Sequence, residues 1–280
     1  MPYQRKRTLQ ELNLSDDFLF SKVFSDAEVC RQVLEKILKV KIKKIKFVES
    51  QKSIDLLMES KAIRLDIYVQ DEKETIYNVE MQRGKYKNLA KRSRYYQGSV
   101  DLDFIQKGSD YLELCKSFII FICTFDPFGK GRHIYSFENC CMEDQSLKLN
   151  DETTKIFLNT RGVMDDVDEE MKELLSYVEN STDTYVAQTK SELVHQLHDR
   201  VNRIKQDKRL EVEYMTLYEI FKEEFEEGKR EGKREGKIEG KIEEKVEIAK
   251  NLLDVLDDET IALKTGLTIE EVQRLRNENK

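Results

Sequence analysis

The chain of 280 residues has 2 Pro, no Trp, 3 His and only 11 Gly, and it contains no long apolar run. Each scarcity excludes something. Without about 18 consecutive apolar residues, a transmembrane helix is not expected. The opening MPYQRKRTLQELNL is basic but lacks the apolar stretch of a signal peptide. The five cysteines, Cys30, Cys115, Cys123, Cys140 and Cys141, form no CxxC pair, and His195 and His198 are the only close histidines. A structural zinc site is therefore not expected, and an odd cysteine count fits reduced thiols in a cytoplasm. His195 and His198 read as part of an amphipathic helix, and Cys115 and Cys123 as core residues. No P-loop or dinucleotide-binding glycine motif occurs, and Ser, His and Asp form no nucleophilic arrangement. The expectation is a cytoplasmic protein without a membrane partner.

What is abundant is charge. Charged residues make up 37% of the chain, against about a quarter in an ordinary globular protein. The 48 basic and 55 acidic residues give a net charge of -7, but the average misleads. Residues 1–110 hold 22 basic and 17 acidic side chains, a net of +5, which leaves -12 for the remainder. A basic front half can engage a polyanion even in an acidic protein.

Residues 14–39 carry apolar side chains at helical spacing behind Ser15-Asp16-Asp17, a helix start. Residues 41–48, 62–69 and 75–82 read as strands, the last two joined as a hairpin by the polar turn 71–74. Residues 88–106 predict a helix. Residues 116–125 are almost continuously apolar, the pattern of a strand covered on both faces. Residues 132–137 and 155–159 predict further strands, and the chain reads as helical from 166 onward. The order implies an α/β core at 1–165, a helical part at 166–226 packed on or extending it, a Glu-Gly-Lys repeat at 227–245 and a small helical unit at 246–280.

In the repeat, Gly228, Gly232, Gly236 and Gly240 recur every four residues. Each costs about 1 kcal/mol against Ala inside a helix. The segment is either a solvated spacer or a helix stabilised by neighbours in an oligomer. Thr268 and Glu271 match a capping box. The spacing around Thr265-Gly266-Leu267 resembles a helix-turn-helix, but Glu270 and Glu271 carry the wrong charge for phosphates, so a packing or oligomerisation unit is the better reading.

The chemistry concentrates in residues 64–82. Ile63, Leu65, Ile67 and Val69 share one strand face and leave Asp66 on the other; Tyr77, Val79 and Met81 leave Glu80 and Gln82 together opposite. A hairpin closing about Glu72 and Lys73 sets Asp66 nearly across from Glu80. Paired carboxylates repel unless a cation lies between them, and oxygen donors suit Mg²⁺ or Mn²⁺. From spacing alone, a solvated face of an amphipathic hairpin is the better reading. Directly after the pair, Arg83, Lys85, Lys87, Lys91, Arg92 and Arg94 crowd into twelve acid-free residues, interleaved with Tyr86, Tyr95 and Tyr96. That composition suits a nucleic-acid backbone, with a solvated helical face as the ordinary alternative.

The run Asp17-Phe18-Leu19-Phe20-Ser21-Lys22-Val23-Phe24 resembles the opening motif of the recombination-promoting nuclease (Rpn) family, also described as PD-(D/E)XK nuclease family transposases. Leu65-Asp66-Ile67, Val79-Glu80-Met81-Gln82 and Arg94-Tyr95-Tyr96 resemble its later motifs, and the Glu-Gly-Lys tail is similar to that family's ending. The resemblance implies a bacterial protein with a restriction-endonuclease-like α/β fold, a mixed central sheet flanked by helices, followed by a helical C-terminal extension. It also implies metal-dependent endonuclease cleavage of DNA. By position, Asp66 and Glu80 become metal ligands with the Met81 carbonyl as a third oxygen, and Asp17 is either a further acid of the site or a helix-start residue. Gln82 stands where the wider superfamily has Lys. An amide orients water but brings no charge, so Lys85 or Lys91 is a candidate source of that charge. Arg83, Lys85, Lys87, Lys91, Arg92, Arg94, Tyr95 and Tyr96 become DNA contacts, and the tail pairs subunits. The rival readings are a DNA-binding or regulatory protein with little turnover, and an oligomerising scaffold.

Overall fold

The structure, a computed structural model, describes residues 7–54 and 63–278. Its first unit spans Met1–Tyr214. The helical pattern of 14–39 forms two helices rather than one: α1 is Asp17–Phe24 and α2 is Ala27–Leu38. The break has a local cause. Asp26 leaves helical geometry and its carboxylate accepts the N–H groups of Glu28 at 3.0 Å and Val29 at 3.3 Å, capping α2. Asp16 occupies the cap position of α1 but gives its carboxylate to arginines instead.

Six strands follow: β1 (Ile45–Ile54), β2 (Ile63–Asp71), β3 (Ile76–Gln82), β4 (Ser117–Cys123), β5 (Ile134–Phe137) and β6 (Thr153–Asn159). They form one mixed sheet in the order β1-β2-β3-β4-β6-β5, with β3, β4 and β6 parallel and the outer pairings antiparallel. Helix α3 (Leu89–Phe104) makes the crossover between β3 and β4.

Both faces of the sheet are covered, which is why β4 is apolar throughout. On one side Ile67, Val69, Tyr77, Val79, Met81, Ile120 and Ile122 pack against α1, α2 and two later helices, α4 (Glu169–Glu179) and α6 (Glu192–Gln206), between which lies the short α5 (Asp183–Val186). On the other, Tyr68, Ile76, Ile119, Phe121 and Phe157 pack against Leu89, Tyr96 and Val100 of α3. Cys123 belongs to this second core and Cys115 packs against it. On α6, His198 is buried with its ring nitrogens on Tyr177 and Asp183, at 3.1 and 2.8 Å, a tie within the helical layer.

Helix α7 (Lys208–Leu252) runs through the Glu-Gly-Lys repeat without a break. The second unit, Met215–Lys280, adds α8 (Asp258–Thr265) and α9 (Ile269–Glu278). Ala249, Leu253, Ile261 and Val272 form its small core. The capping box is made: Glu271 N–H reaches Thr268 Oγ1 at 3.2 Å and Thr268 N–H reaches Glu271 at 2.7 Å. Among the described residues no helix is long and apolar enough to cross a membrane.

A Cβ added at Gly228, Gly232, Gly236 or Gly240 meets nothing within 4 Å. Replacing all four by Ala is therefore expected to raise helix content and thermal stability of this segment, by about 1 kcal/mol per site. Far-UV circular dichroism melting of the full chain checks this. A lower melting temperature, with loss of an oligomer seen by sedimentation, would show that a second copy packs on the glycine stripe.

Candidate metal and nucleic-acid site

The site is built on the β2–β3 hairpin. Its turn is a three-residue loop, with Asp71 N–H donating to the Thr75 carbonyl at 3.1 Å and Glu74 at a left-handed φ of 64°. The Asp71 carboxylate holds the loop by accepting the N–H groups of Lys73 and Thr75 and the Tyr77 hydroxyl, at 2.8, 2.9 and 2.8 Å. This turn pairs Gln70 with Ile76 and Ile67 with Val79, so Asp66 falls level with Glu80.

At that level the backbone ladder ends and the two acids take it over. Glu80 accepts the Asp66 N–H at 3.1 Å, and Asp66 accepts the Met81 N–H at 3.0 Å. Each carboxylate thereby has one oxygen tied to the opposite strand. Strict alternation also fails here: Leu65 packs in the core beneath α3 with Tyr68, not with Ile67 and Val69 as its spacing predicts. Across from Asp66 on β1, between the pairs Ser50–Ile67 and Lys52–Leu65, Gln51 adopts a left-handed φ of 61°. For a non-glycine residue that conformation is strained, and such strain gathers at functional positions. Ile63 lies at the edge of the described residues, and its side chain is outside them.

The hairpin face is not solvated. Glu80 is 2% exposed, Gln82 6% and Asn78 0%, because α3 lies over them. Burial, then the charge of Asp66, push the Glu80 carboxyl from its ordinary 4.5 up to about 8, against the Asp66 N–H, Asn78 and Arg92. Asn78 lies near enough to oppose the rise, although neither of its amide atoms makes a hydrogen bond with the described residues. Asp66 is also raised, first by burial and further by the charge of Asp17, while the Met81 N–H and Arg92 oppose the shift. Both carboxyls, Glu80 buried and Asp66 half-buried, are thus held above their normal range.

Asp17 sits at the mouth, solvent-accessible, in a cleft of about 920 Å³ lined also by Arg7, Met81, Gln82, Arg83, Tyr86 and Arg161. Its surroundings raise its carboxyl through burial first, with Arg83 opposing. Three arginines on this rim are anchored by carboxylates. Buried Asp16 takes Arg7 and Arg83, the latter at 2.6 Å, and Glu179 takes Arg161 at 2.7 Å. Arg7, Asp16, Arg161 and Glu179 have no signature in the sequence, because they come from distant segments joined only by folding.

The basic cluster divides. Lys85, Lys87, Lys91, Arg94 and Tyr95 are exposed, as is Arg83 at the cleft. Arg92 and Tyr96, expected among the outward DNA contacts, instead turn toward the sheet. Tyr96 is 8% exposed. Arg92 donates to Gln82 Oε1 at 2.6 Å and to the Tyr96 hydroxyl at 2.9 Å, and lies 3.7 Å from Glu80 Oε2. Lys85 and Lys91, the expected sources of positive charge, point to solvent; the cation beside the acids is Arg92.

Among the described residues, no group of three or more His, Cys, Asp and Glu side chains gathers as a metal site. The candidate donor set is smaller and all oxygen: Asp66, Glu80 and the carbonyl of Met81, whose own N–H already donates to Asp66. Carboxylate and carbonyl oxygens fit a hard divalent ion, and Mg²⁺ in particular keeps several of its waters. The raised acids are the observation that favours the fit.

Comparison with known families matches residues 14–225 to one described as PD-(D/E)XK nuclease family transposase. The matched region takes in Asp17, the hairpin and α3. No curated protein and no solved structure matches the chain significantly.

Proposed function

Because the chain belongs to the PD-(D/E)XK nuclease family transposases, we propose that it is a DNA endonuclease of the recombination-promoting type, dependent on Mg²⁺ or a similar divalent ion. The buried, mutually repelling pair of Asp66 and Glu80 carries this reading. Asp66, Glu80 and the Met81 carbonyl would hold the ion, which when bound lowers the pKa of water and neutralises charge on the attacked phosphate. Asp17, at the mouth, adds a negative charge near that position.

In hydrolysis the water oxygen bonds to phosphorus as the bond to one sugar oxygen breaks, and the leaving oxygen takes up a proton. Gln82, lining the cleft, orients water or a phosphate oxygen by hydrogen bonding. Arg83 and the exposed Lys85, Lys87, Lys91, Arg94 and Tyr95 grip the DNA backbone beside the cleft. The charged α7 and the small C-terminal unit serve to pair subunits, so that two strands are cut. The cytoplasm supplies both DNA and Mg²⁺.

One observation favours a second reading, DNA binding with little turnover: an amide, Gln82, stands where related nucleases carry Lys. Incubating the full chain with supercoiled plasmid separates the two. Nicked and linear products with Mg²⁺, absent with EDTA, support the nuclease. Salt-sensitive plasmid binding without any product with Mg²⁺ or Mn²⁺ supports the second reading.

A further inference from the structure

We infer that Arg92 supplies, from α3, a fixed positive charge beside Glu80, and that it holds Gln82 with its amide nitrogen available to the substrate. This rests on the nuclease reading above. Arg92 begins ten residues beyond Gln82, in the first turn of α3, where its N–H joins the Asn88 carbonyl at 2.8 Å. From there its side chain reaches back over β3.

The guanidinium is pinned from several directions. Nη1 donates to Gln82 and Nη2 to Tyr96, while the group lies over the rings of Tyr96 and Phe121, 5.3 and 5.5 Å from their centres. Its side chain is 28% exposed. A backbone-gripping arginine needs a free outer edge and freedom to follow the phosphates; this one has spent both on the site. Arginine is only a donor, so the group it binds on Gln82 must be the carbonyl oxygen. The Gln82 nitrogen is thereby turned the other way, toward the cleft, where it makes a long bond of 3.4 Å to the Gly84 carbonyl. An amide held in this sense presents its N–H groups to the cleft, where they can donate to a phosphate oxygen or to water.

The charge is the second half of the device. Nη2 lies 3.7 Å from Glu80 Oε2, beside the paired carboxyls. The contribution of the guanidinium is electrostatic and geometric, without proton transfer. Arg92 is in this sense a positioning residue, acting through Gln82 and beside Glu80.

The test uses the full chain as wild type, Arg92→Gln and Arg92→Lys. It measures single-turnover cleavage of a labelled duplex with Mg²⁺, and duplex affinity against KCl with Ca²⁺ in its place, with thermal melting as a check on folding. Arg92→Gln should cut roughly 100-fold more slowly, with affinity within about threefold and an unchanged salt slope. Arg92→Lys, which keeps the charge over the same rings, should recover about tenfold of that loss. Near-normal cleavage by Arg92→Gln overturns the inference. So does a salt slope lower by about one with saturated cleavage unchanged, the mark of a plain phosphate contact, or an Arg92→Lys no faster than Arg92→Gln. A wild type that never cuts removes the nuclease reading itself, and this inference with it; the other outcomes remove Arg92 alone.

Discussion

Asp66→Asn and Glu80→Gln are each expected to slow Mg²⁺-dependent DNA cleavage by about a thousandfold or more while leaving duplex binding intact. The substitutions are nearly isosteric. Each keeps a carbonyl oxygen to accept the opposite strand's N–H, the Asp66 N–H in one case and the Met81 N–H in the other, so the hairpin mouth stays closed as before. What they remove is anionic charge at the place where a divalent ion would sit. Losing several kcal/mol of charge stabilisation at the attacked phosphate corresponds to that rate factor. With DNA gripped, as proposed, by the exposed cations of residues 83–94, duplex affinity should hold or rise slightly as a negative charge disappears. Single-turnover cleavage and titration of a labelled duplex measure the two quantities separately. Cleavage within tenfold of wild type in either variant would place the chemistry elsewhere.

Glu80→Gln is also expected to make the metal-free protein more stable at pH 8, by about 5 °C in melting temperature. The sign follows from the direction of the shifts. Asp66 and Glu80 are both raised in the fold, so between the ordinary carboxyl value near 4.5 and about 8 the folded chain retains protons that the unfolded chain has released. Stability then falls as pH rises through that window. The wild type in EDTA should lose stability from pH 5 to pH 8, the Glu80→Gln variant should lose less, and excess Mg²⁺ should restore the wild type alone. Calorimetric melting at the two pH values, with and without Mg²⁺, reads all three effects. A wild type with the same pH dependence as Glu80→Gln would mean that this pair carries no stored repulsion. On the proposed function, the arrangement trades stability for activity at the β2–β3 hairpin.

Much of this site was legible in the amino-acid sequence, for reasons that can be named. A polar loop of fixed length between two alternating strands determines which residues face each other, so Asp66 and Glu80 could be paired from spacing. The apolar run of β4 announced a sheet covered on both faces. The burial of Glu80 was not legible, because it depends on α3 lying across the hairpin, and two acids on a strand look the same whether solvated or covered. The inward turn of Arg92 and Tyr96 was hidden for a related reason. Charged and aromatic residues occur all around α3, so periodicity gives no phase for the helix against the sheet. The left-handed backbone at Gln51 and the lost alternation at Leu65 are tertiary effects with no local signal. By contrast, the break between α1 and α2 was written in the chain: Asp26 followed by Glu28 and Val29 is a cap, overlooked because the apolar spacing runs on through it.

Whether Asp66 and Glu80 form one divalent-metal centre is read most directly by isothermal titration of the metal-free full chain with Mn²⁺. About one ion per chain should bind, with proton release near pH 7 because the raised carboxyls must give up protons to coordinate, and that binding should be lost in both Asp66→Asn and Glu80→Gln. Equal binding by the wild type and both variants, or none by the wild type, would contradict a shared centre.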